Sequence, residues 1–158
     1  HGHICTNLTI SLGTGLRGTP CAVFSKDTKV RSGSDQAQTR QGLWSYPDLV
    51  IVCGTPQYHD QYQDVLLNPR VVIEVLSPST ERFDRGEKWE RYRTWLPSLE
   101  EYLLVAQDRP RVEHWHRHGG GTWQADLLEG IEATLVLASI GCQVPFADLY
   151  DRVVFPES

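Results

Sequence analysis

The sequence predicts a mixed α/β domain in which a central β-sheet is flanked by helices. Two short, continuous runs of mainly β-branched residues, Leu49–Cys53 and Val71–Leu76, are typical of central strands that are covered on both faces. Segments with the helical spacing of apolar residues lie before and after these strands. The chain has 158 residues, 40% of them hydrophobic, and shows no internal repeat or linker. Residues 1–158 are therefore expected to form one domain.

Two helices are predicted. Every fourth residue from Ile4 to Leu16 is apolar, which favours one buried helical face near the start of the chain. A second helix is predicted over Arg85–Leu96, because Asp84 with Glu87 three residues later forms a capping-box pattern. Pro97 is expected to end that helix at Leu96.

Further strands are predicted on both sides of the central pair, from alternating or β-branched residues bounded by turn residues: Cys21–Ser25, Lys29–Arg31, Tyr102–Val105, Arg111–His116, Thr122–Gln124 and Leu135–Leu137. The polar tract from Ser32 to Gly42 has no period and is expected to form a mobile loop that serves as a lid or a substrate contact. The segment from Gly54 to Arg70 is long for a hairpin and is expected to hold a turn of helix.

Net charge and cysteine spacing limit the function classes. The net charge is −5, so a nucleic acid would have to be bound through a local cluster or a bound cation. The four cysteines lie far apart among apolar neighbours, which predicts buried free thiols in a reducing compartment: Cys5, Cys21, Cys53 and Cys142. No apolar run is long enough to cross a membrane and no signal peptide is recognisable, so a cytoplasmic location is expected. Because the sequence contains no methionine, a short native N-terminal segment is expected to precede His1.

Glu74 is the most informative residue, because it interrupts an apolar strand where an unpaired carboxylate would be costly to bury. Asp48, at the start of the neighbouring strand, offers a second carboxylate at the same sheet. Two carboxylates with a backbone carbonyl and waters make the oxygen-rich shell that Mg²⁺ prefers. The alternative is that Asp48 caps a turn and Glu74 pairs with an arginine.

Lys88 is predicted to lie in the first turn of the second helix, and helical side chains lean toward the N-terminus, so its ammonium is expected to reach Glu74. Arg85 and Tyr92 share its face by their spacing, and the helix N-terminus would favour a phosphate. The alternative makes Arg82 to Arg93 a solvated helix laced with salt bridges.

These residues together resemble a known family. The ordered set of motifs in this sequence is Tyr46-Pro47-Asp48, then Ile73-Glu74-Val75-Leu76-Ser77-Pro78-Ser79-Thr80, then Asp84, Lys88, Tyr92 and Glu101-Tyr102. It resembles the Uma-two type of restriction endonuclease, which belongs to the PD-(D/E)XK nuclease superfamily. The resemblance is dense from Trp44 to Val105 and weaker from Val144 to Tyr150.

The resemblance implies a restriction-endonuclease-like fold and an Mg²⁺- or Mn²⁺-dependent endonuclease that hydrolyses DNA. It implies that Asp48, Glu74 and the Val75 carbonyl bind the metal, that Lys88 acts beside it, and that Arg85 and Tyr92 contact the substrate. The superfamily places its lysine two residues after the glutamate, where this chain has Leu76, so Lys88 would be a relocated substitute. An acidic residue that the family carries upstream has no counterpart here. By analogy, an enzyme that cuts two strands is expected to be a homodimer.

Two other functions stay open. The negative charge and the missing lysine fit a non-catalytic domain that binds nucleic acid or protein on the same fold, and the carboxylates also fit a hydrolase acting on another phosphate or on a glycoside. Separately, His114, His116 and His118 alternate along a predicted strand and share one face. Neighbours on one strand rarely surround one zinc ion, so an exposed strand face is expected there.

Overall fold

A computed structural model of the chain describes residues 1–25, 27–33, 44–59 and 65–156. The helices are α1 (Gly2–Gly15), α2 (Glu81–Arg85), α3 (Glu87–Trp95) and α4 (Phe146–Leu149). The strands are β1 (Cys21–Ser25), β2 (Lys29–Arg31), β3 (Trp44–Ser45), β4 (Leu49–Cys53), β5 (Val65–Leu66), β6 (Val71–Val75), β7 (Glu101–Val105), β8 (Arg111–Arg117), β9 (Trp123–Glu129), β10 (Thr134–Leu137) and β11 (Cys142–Pro145).

The described strands form a central mixed sheet in the order β1-β4-β6-β7-β8-β9. Only β6 and β7 run parallel within it, and the chain between them passes through α2 and α3. Two smaller sheets accompany it, one of β10 and β11 and one of β3, β2 and β5. The predicted α/β class is confirmed.

Two apolar cores lie on opposite faces of the central sheet. One face is covered by α1, β10, β11 and α4, whose apolar residues pack on those of β4, β6 and β7 that point the same way, such as Ile73 and Leu103. The other face is covered by α3 and β2, where Trp89 and Tyr92 pack against Val72 and Leu104. Because alternate strand residues point to opposite faces, Glu74 lies on the α3 face.

The predicted second helix is wrong at its start. The structure has two helices, α2 and α3, which meet at Gly86 in a non-helical conformation with φ −103° and ψ −95°. Asp84 is not an N-cap but a buried residue inside α2, and no side chain caps either helix. The predicted end at Leu96 is confirmed.

The cysteine prediction is wrong for two residues. Cys21 and Cys53 are directly opposed on the antiparallel strands β1 and β4 and form a disulfide. Cys5 and Cys142 lie outside this disulfide, and of these Cys142 is buried while Cys5 is half-buried. Cysteine usage therefore no longer argues for a reducing compartment.

Other differences are local. Strand β9 continues to Glu129, well beyond the predicted Gln124, and β11 and α4 were not predicted. The described parts of the segment from Gly54 to Arg70 hold a short strand, β5. Residues 60–64 lie outside the described residues, so the turn of helix stays a prediction. Most of the predicted loop from Ser32 to Gly42 lies outside the described residues. None of the described helices is long and apolar enough to span a membrane.

Candidate active site

The register of β4 and β6 brings the two predicted carboxylates to one place. Leu49 is paired with Ile73 in this antiparallel ladder, so Asp48 and Glu74 each lie one residue beyond that pair. Glu74 is 3% exposed on the α3 face of the sheet. The strand end therefore holds one deeply buried carboxylate with a second one beside it.

Lys88 provides the counter-charge for Glu74. Its Nζ lies 2.8 Å from Glu74 Oε1 and 3.5 Å from Asp84 Oδ1. The lysine reaches Glu74 from the first turn of α3, and Asp84 comes from α2 four residues earlier. All three residues are buried. Glu74 therefore pairs with a lysine and not with an arginine.

Burial dominates the electrostatics of this cluster. It raises the pKa of Glu74 from 4.5 to about 8, although the Lys88 ammonium opposes the shift, and the neighbouring Asp84 and Asp48 carboxylates add to it. Burial also raises the pKa of Asp84. The Glu74 carboxyl therefore keeps its proton to a higher pH than an exposed carboxyl does.

Asp48 is the more accessible carboxylate, with 16% of its side chain exposed. Its Oδ2 accepts a hydrogen bond of 2.8 Å from the Val75 N–H, which fixes the carboxylate against the end of β6. Its Oδ1 lies 3.3 Å from Nε2 of His1, at the start of α1. Among the described residues, His1, Cys5 and Asp48 are the one group of three potential metal ligands whose atoms lie within 4.8 Å of one another.

Arg85 and Tyr92 have different surroundings. Tyr92 is fully buried and its hydroxyl lies 2.6 Å from the Ser45 hydroxyl, a setting that does not favour the predicted substrate contact. Arg85 keeps 35% of its side chain exposed and donates hydrogen bonds to Glu81 and Glu113. It remains a surface cation close to the cluster.

The remaining charges of α3 follow the solvated alternative. Arg91 pairs with Glu87 and Arg93 pairs with Glu90, and both glutamates are well exposed. These pairs lie on the helix surface, away from Glu74. Within this segment, then, Lys88 is the buried exception.

His114 and His116 of β8 and the following His118 do not form a metal site among the described residues. They lie on the sheet face opposite Glu74, because His114 is paired with Leu103 of the α1-side core. His114 is buried and its Nε2 lies 2.7 Å from Glu101 Oε1, while His116 Nε2 lies 2.8 Å from Asp126 Oδ2. The expected exposed face is therefore wrong for His114.

Two residues of the site were missed by the sequence analysis. Asp84 was assigned to a cap, although its spacing of four residues from Lys88 is a signal for contact on a helix. His1 was left out of the chemistry, and only the packing of α1 beside β4 brings it to Asp48. No sequence pattern predicts the contact between His1 and Asp48.

The residues fit a divalent cation. Lys88 contacts Glu74 and Asp84, and Asp48 is a further negative neighbour of Glu74, so three carboxylates accompany one ammonium and leave an excess of negative charge when all are ionised. Glu74 Oε1 is buried, and the Lys88 ammonium lies 2.8 Å from it. Carboxylate oxygens are the ligands that Mg²⁺ and Mn²⁺ prefer.

Comparison with known proteins points to nucleases. Residues 1–145 match the model of the Uma2 family, described as "Putative restriction endonuclease". Two Synechocystis sp. (strain ATCC 27184 / PCC 6803 / Kazusa) proteins, each called an uncharacterized protein, are similar in sequence. The protein sll1609 is 30% identical over 135 residues, which are 85% of this chain and 72% of that protein. The protein slr1290 is 31% identical over 157 residues, which are 98% of this chain and 76% of that protein.

The fold is also similar to a crystal structure from Anabaena variabilis ATCC 29413, described as a putative nuclease belonging to DUF820. The TM-score is 0.75 at 12% identity, and the match covers 98% of this chain and 82% of that one. At this identity the likeness concerns the fold alone. It confirms the predicted arrangement of a mixed sheet flanked by helices.

Proposed function

Because the chain belongs to the Uma2 family of restriction endonucleases, we propose that it is a metal-dependent endonuclease that hydrolyses phosphodiester bonds in DNA. The observation that carries the proposal is the buried contact of 2.8 Å between Lys88 Nζ and Glu74 Oε1, at the strand end where Asp48 also lies. A lysine beside two carboxylates is the combination that the superfamily uses, and here the lysine comes from a helix.

Asp48 and Glu74, together with the Val75 carbonyl, would hold Mg²⁺ or Mn²⁺. When bound, such an ion supplies Lewis-acid activation of a phosphodiester. The Val75 N–H supports this assignment by orienting Asp48 through its hydrogen bond to Oδ2. Burial of Glu74 supports it as well, because a desolvated carboxylate gains more from a cation than one in water.

Lys88 would offset the negative charge that develops on the phosphate. An ammonium has three N–H donors, so its contacts with Glu74 and Asp84 leave capacity for a phosphate oxygen. Asp84 would position the ammonium from the adjacent helix without touching the substrate. Arg85, at the surface beside α3, would contribute a phosphate contact that steers the DNA backbone.

The test is cleavage of supercoiled plasmid and linear DNA with Mg²⁺ or Mn²⁺. We expect cleavage by the wild type and by Glu87→Gln, a matched control because Glu87 is a well-exposed glutamate on the same helix. We expect no cleavage by Glu74→Gln or Asp48→Asn, with circular dichroism confirming that both are folded. Undiminished cleavage by Glu74→Gln would refute the assignment. Absence of turnover in the wild type at every ion concentration would favour a non-catalytic domain that binds nucleic acid or protein.

A further inference from the structure

A second group of potential metal ligands lies on the other side of Asp48. It consists of the His1 imidazole, the Cys5 thiol and the Asp48 carboxylate, whose ligand atoms lie within 4.8 Å of one another. His1 Nε2 is 3.3 Å from Asp48 Oδ1, and Cys5 Sγ is 3.8 Å from His1 Nδ1. We infer that these three residues form a binding site for a zinc-type transition metal, next to the proposed nuclease centre and sharing Asp48 with it.

The donor set decides which metal the site would take. A thiolate and an imidazole are soft or borderline ligands that suit Zn²⁺ and Co²⁺, whereas Mg²⁺ prefers oxygen alone. Three protein ligands with a fourth position open to solvent is the common arrangement of a reactive zinc site. Among the described residues, the Glu74 side of Asp48 offers carboxylates and no thiol, so the two sides differ in metal preference.

The spacing needs only a small adjustment. Zinc bonds of about 2.0–2.3 Å put tetrahedral ligand atoms roughly 3.3–3.8 Å apart, close to the separations in the structure. The contacts of His1 with Asp48 and Cys5 use opposite ring nitrogens, so the imidazole must turn for one nitrogen to meet both other ligands. Its side chain is 45% exposed, which leaves it room to do so.

The surroundings allow a metal to enter. His1, Cys5 and Asp48 line a cavity of about 390 Å³ between α1 and the strand ends, which is also lined by Asp27. Cys5 lies outside the disulfide and is half-buried, whereas Cys142 is buried at the far end of α1 beside Gly15. Because a helix rises 1.5 Å per residue, the ten residues from Cys5 to Gly15 separate the two thiols by roughly 15 Å.

The shared carboxylate gives the site a consequence for activity, which rests on the proposed function. A zinc ion held by His1 and Cys5 would also bind the Asp48 carboxylate, which the proposed Mg²⁺ centre needs as a ligand. Zinc would therefore suppress Mg²⁺-dependent cleavage, and the suppression would depend on Cys5. The metal site itself does not depend on the chain being a nuclease.

The experiment is a titration of untagged protein with Co²⁺, followed by the sulfur-to-cobalt charge-transfer absorption in the near ultraviolet, and then displacement by Zn²⁺. We expect a saturable band at one equivalent in the wild type and in Cys142→Ser, and its loss in Cys5→Ser and His1→Gln. Glu74→Gln should keep the band, because Glu74 is not a ligand of this site. Circular dichroism would establish that Cys5→Ser is folded.

No band in the wild type, or a band that survives in Cys5→Ser and is lost in Cys142→Ser, would overturn the inference. The outcome for the nuclease proposal is separate. If the wild type shows the band but cuts no DNA with Mg²⁺, the zinc-type site stands and the proposed function fails. If DNA is cut and zinc inhibits Cys5→Ser as strongly as the wild type, the shared use of Asp48 is wrong.

Discussion

The raised pKa of Glu74 predicts a pH dependence of stability that Glu74→Gln removes. The pKa is 4.5 in the unfolded reference and about 8 in the folded protein, so between these values the folded state keeps a proton that the unfolded state loses. The free energy of unfolding then falls as the pH rises, by at most about 1.4 kcal/mol per pH unit. Below pH 4.5 both states are protonated, and above about pH 8 neither is.

The size of the effect follows from the same shift. A difference of about 3.5 pKa units corresponds to about 5 kcal/mol between pH 4 and pH 9. Glu74 is 3% exposed, so screening by solvent reduces this little. Glutamine does not titrate, so the stability of Glu74→Gln relative to the wild type should improve by up to about that amount as the pH rises. The pKa of Asp84 is raised in the same direction. Because Asp84 is present in both proteins, its contribution to the pH dependence of stability largely cancels when they are compared.

The assay is urea unfolding followed by tryptophan fluorescence, with a chelator present, at several pH values from 4 to 9. Glu87→Gln is the control, because Glu87 is well exposed and should give a curve parallel to that of the wild type. The result that would refute the reasoning is a constant difference between wild type and Glu74→Gln over the whole range. If the stability of Glu74→Gln relative to the wild type instead improved as the pH falls, the pKa shift would have the opposite sign.

Three further predictions concern single contacts. Lys88→Met leaves buried carboxylates without their ammonium. In the same urea assay, this should lower the free energy of unfolding by about 3–5 kcal/mol at pH 9 and by less at pH 6. An equal loss of stability at both pH values would contradict the prediction. Reducing the Cys21–Cys53 disulfide, which spans 32 residues, should lower the free energy of unfolding by about 3–4 kcal/mol. A thiol titration that finds four free cysteines in the unreduced protein would contradict it. Arg85→Met should weaken DNA binding and reduce its salt dependence by roughly one phosphate contact. Tyr92→Phe should leave DNA binding unchanged, because Tyr92 is buried. If the two variants had equal effects in a fluorescence anisotropy titration, Arg85 would not have the proposed surface role.

The pair of carboxylates, Asp48 and Glu74, could be predicted because the sequence places a charged residue inside an apolar strand. Glu74 is charged where its neighbours in the strand are apolar, and such a residue needs a partner. The position of Lys88 at the start of a helix after that strand was enough to predict its direction. The contact of 2.8 Å between Lys88 and Glu74 agrees with that direction.

Other features depended on packing that sequence spacing does not encode. The disulfide requires Cys21 to face Cys53, which the register of β1 against β4 decides. Likewise, His1 reaches Asp48 because α1 lies beside the end of β4. Asp84 was misassigned because one residue pattern fits both a helix cap and a buried contact four residues from Lys88.

The most direct test of the site is calorimetric titration of Mn²⁺ into the wild type, Glu74→Gln and Glu87→Gln at pH 7, in two buffers of different ionisation enthalpy. Because the pKa of Glu74 is about 8, its carboxyl is mostly protonated at this pH, and binding at Glu74 should release close to one proton. We predict binding with proton release in the wild type and in Glu87→Gln, and its loss in Glu74→Gln. Binding that is unchanged in Glu74→Gln, or no binding by the wild type, would contradict the assignment of Glu74 as a metal ligand.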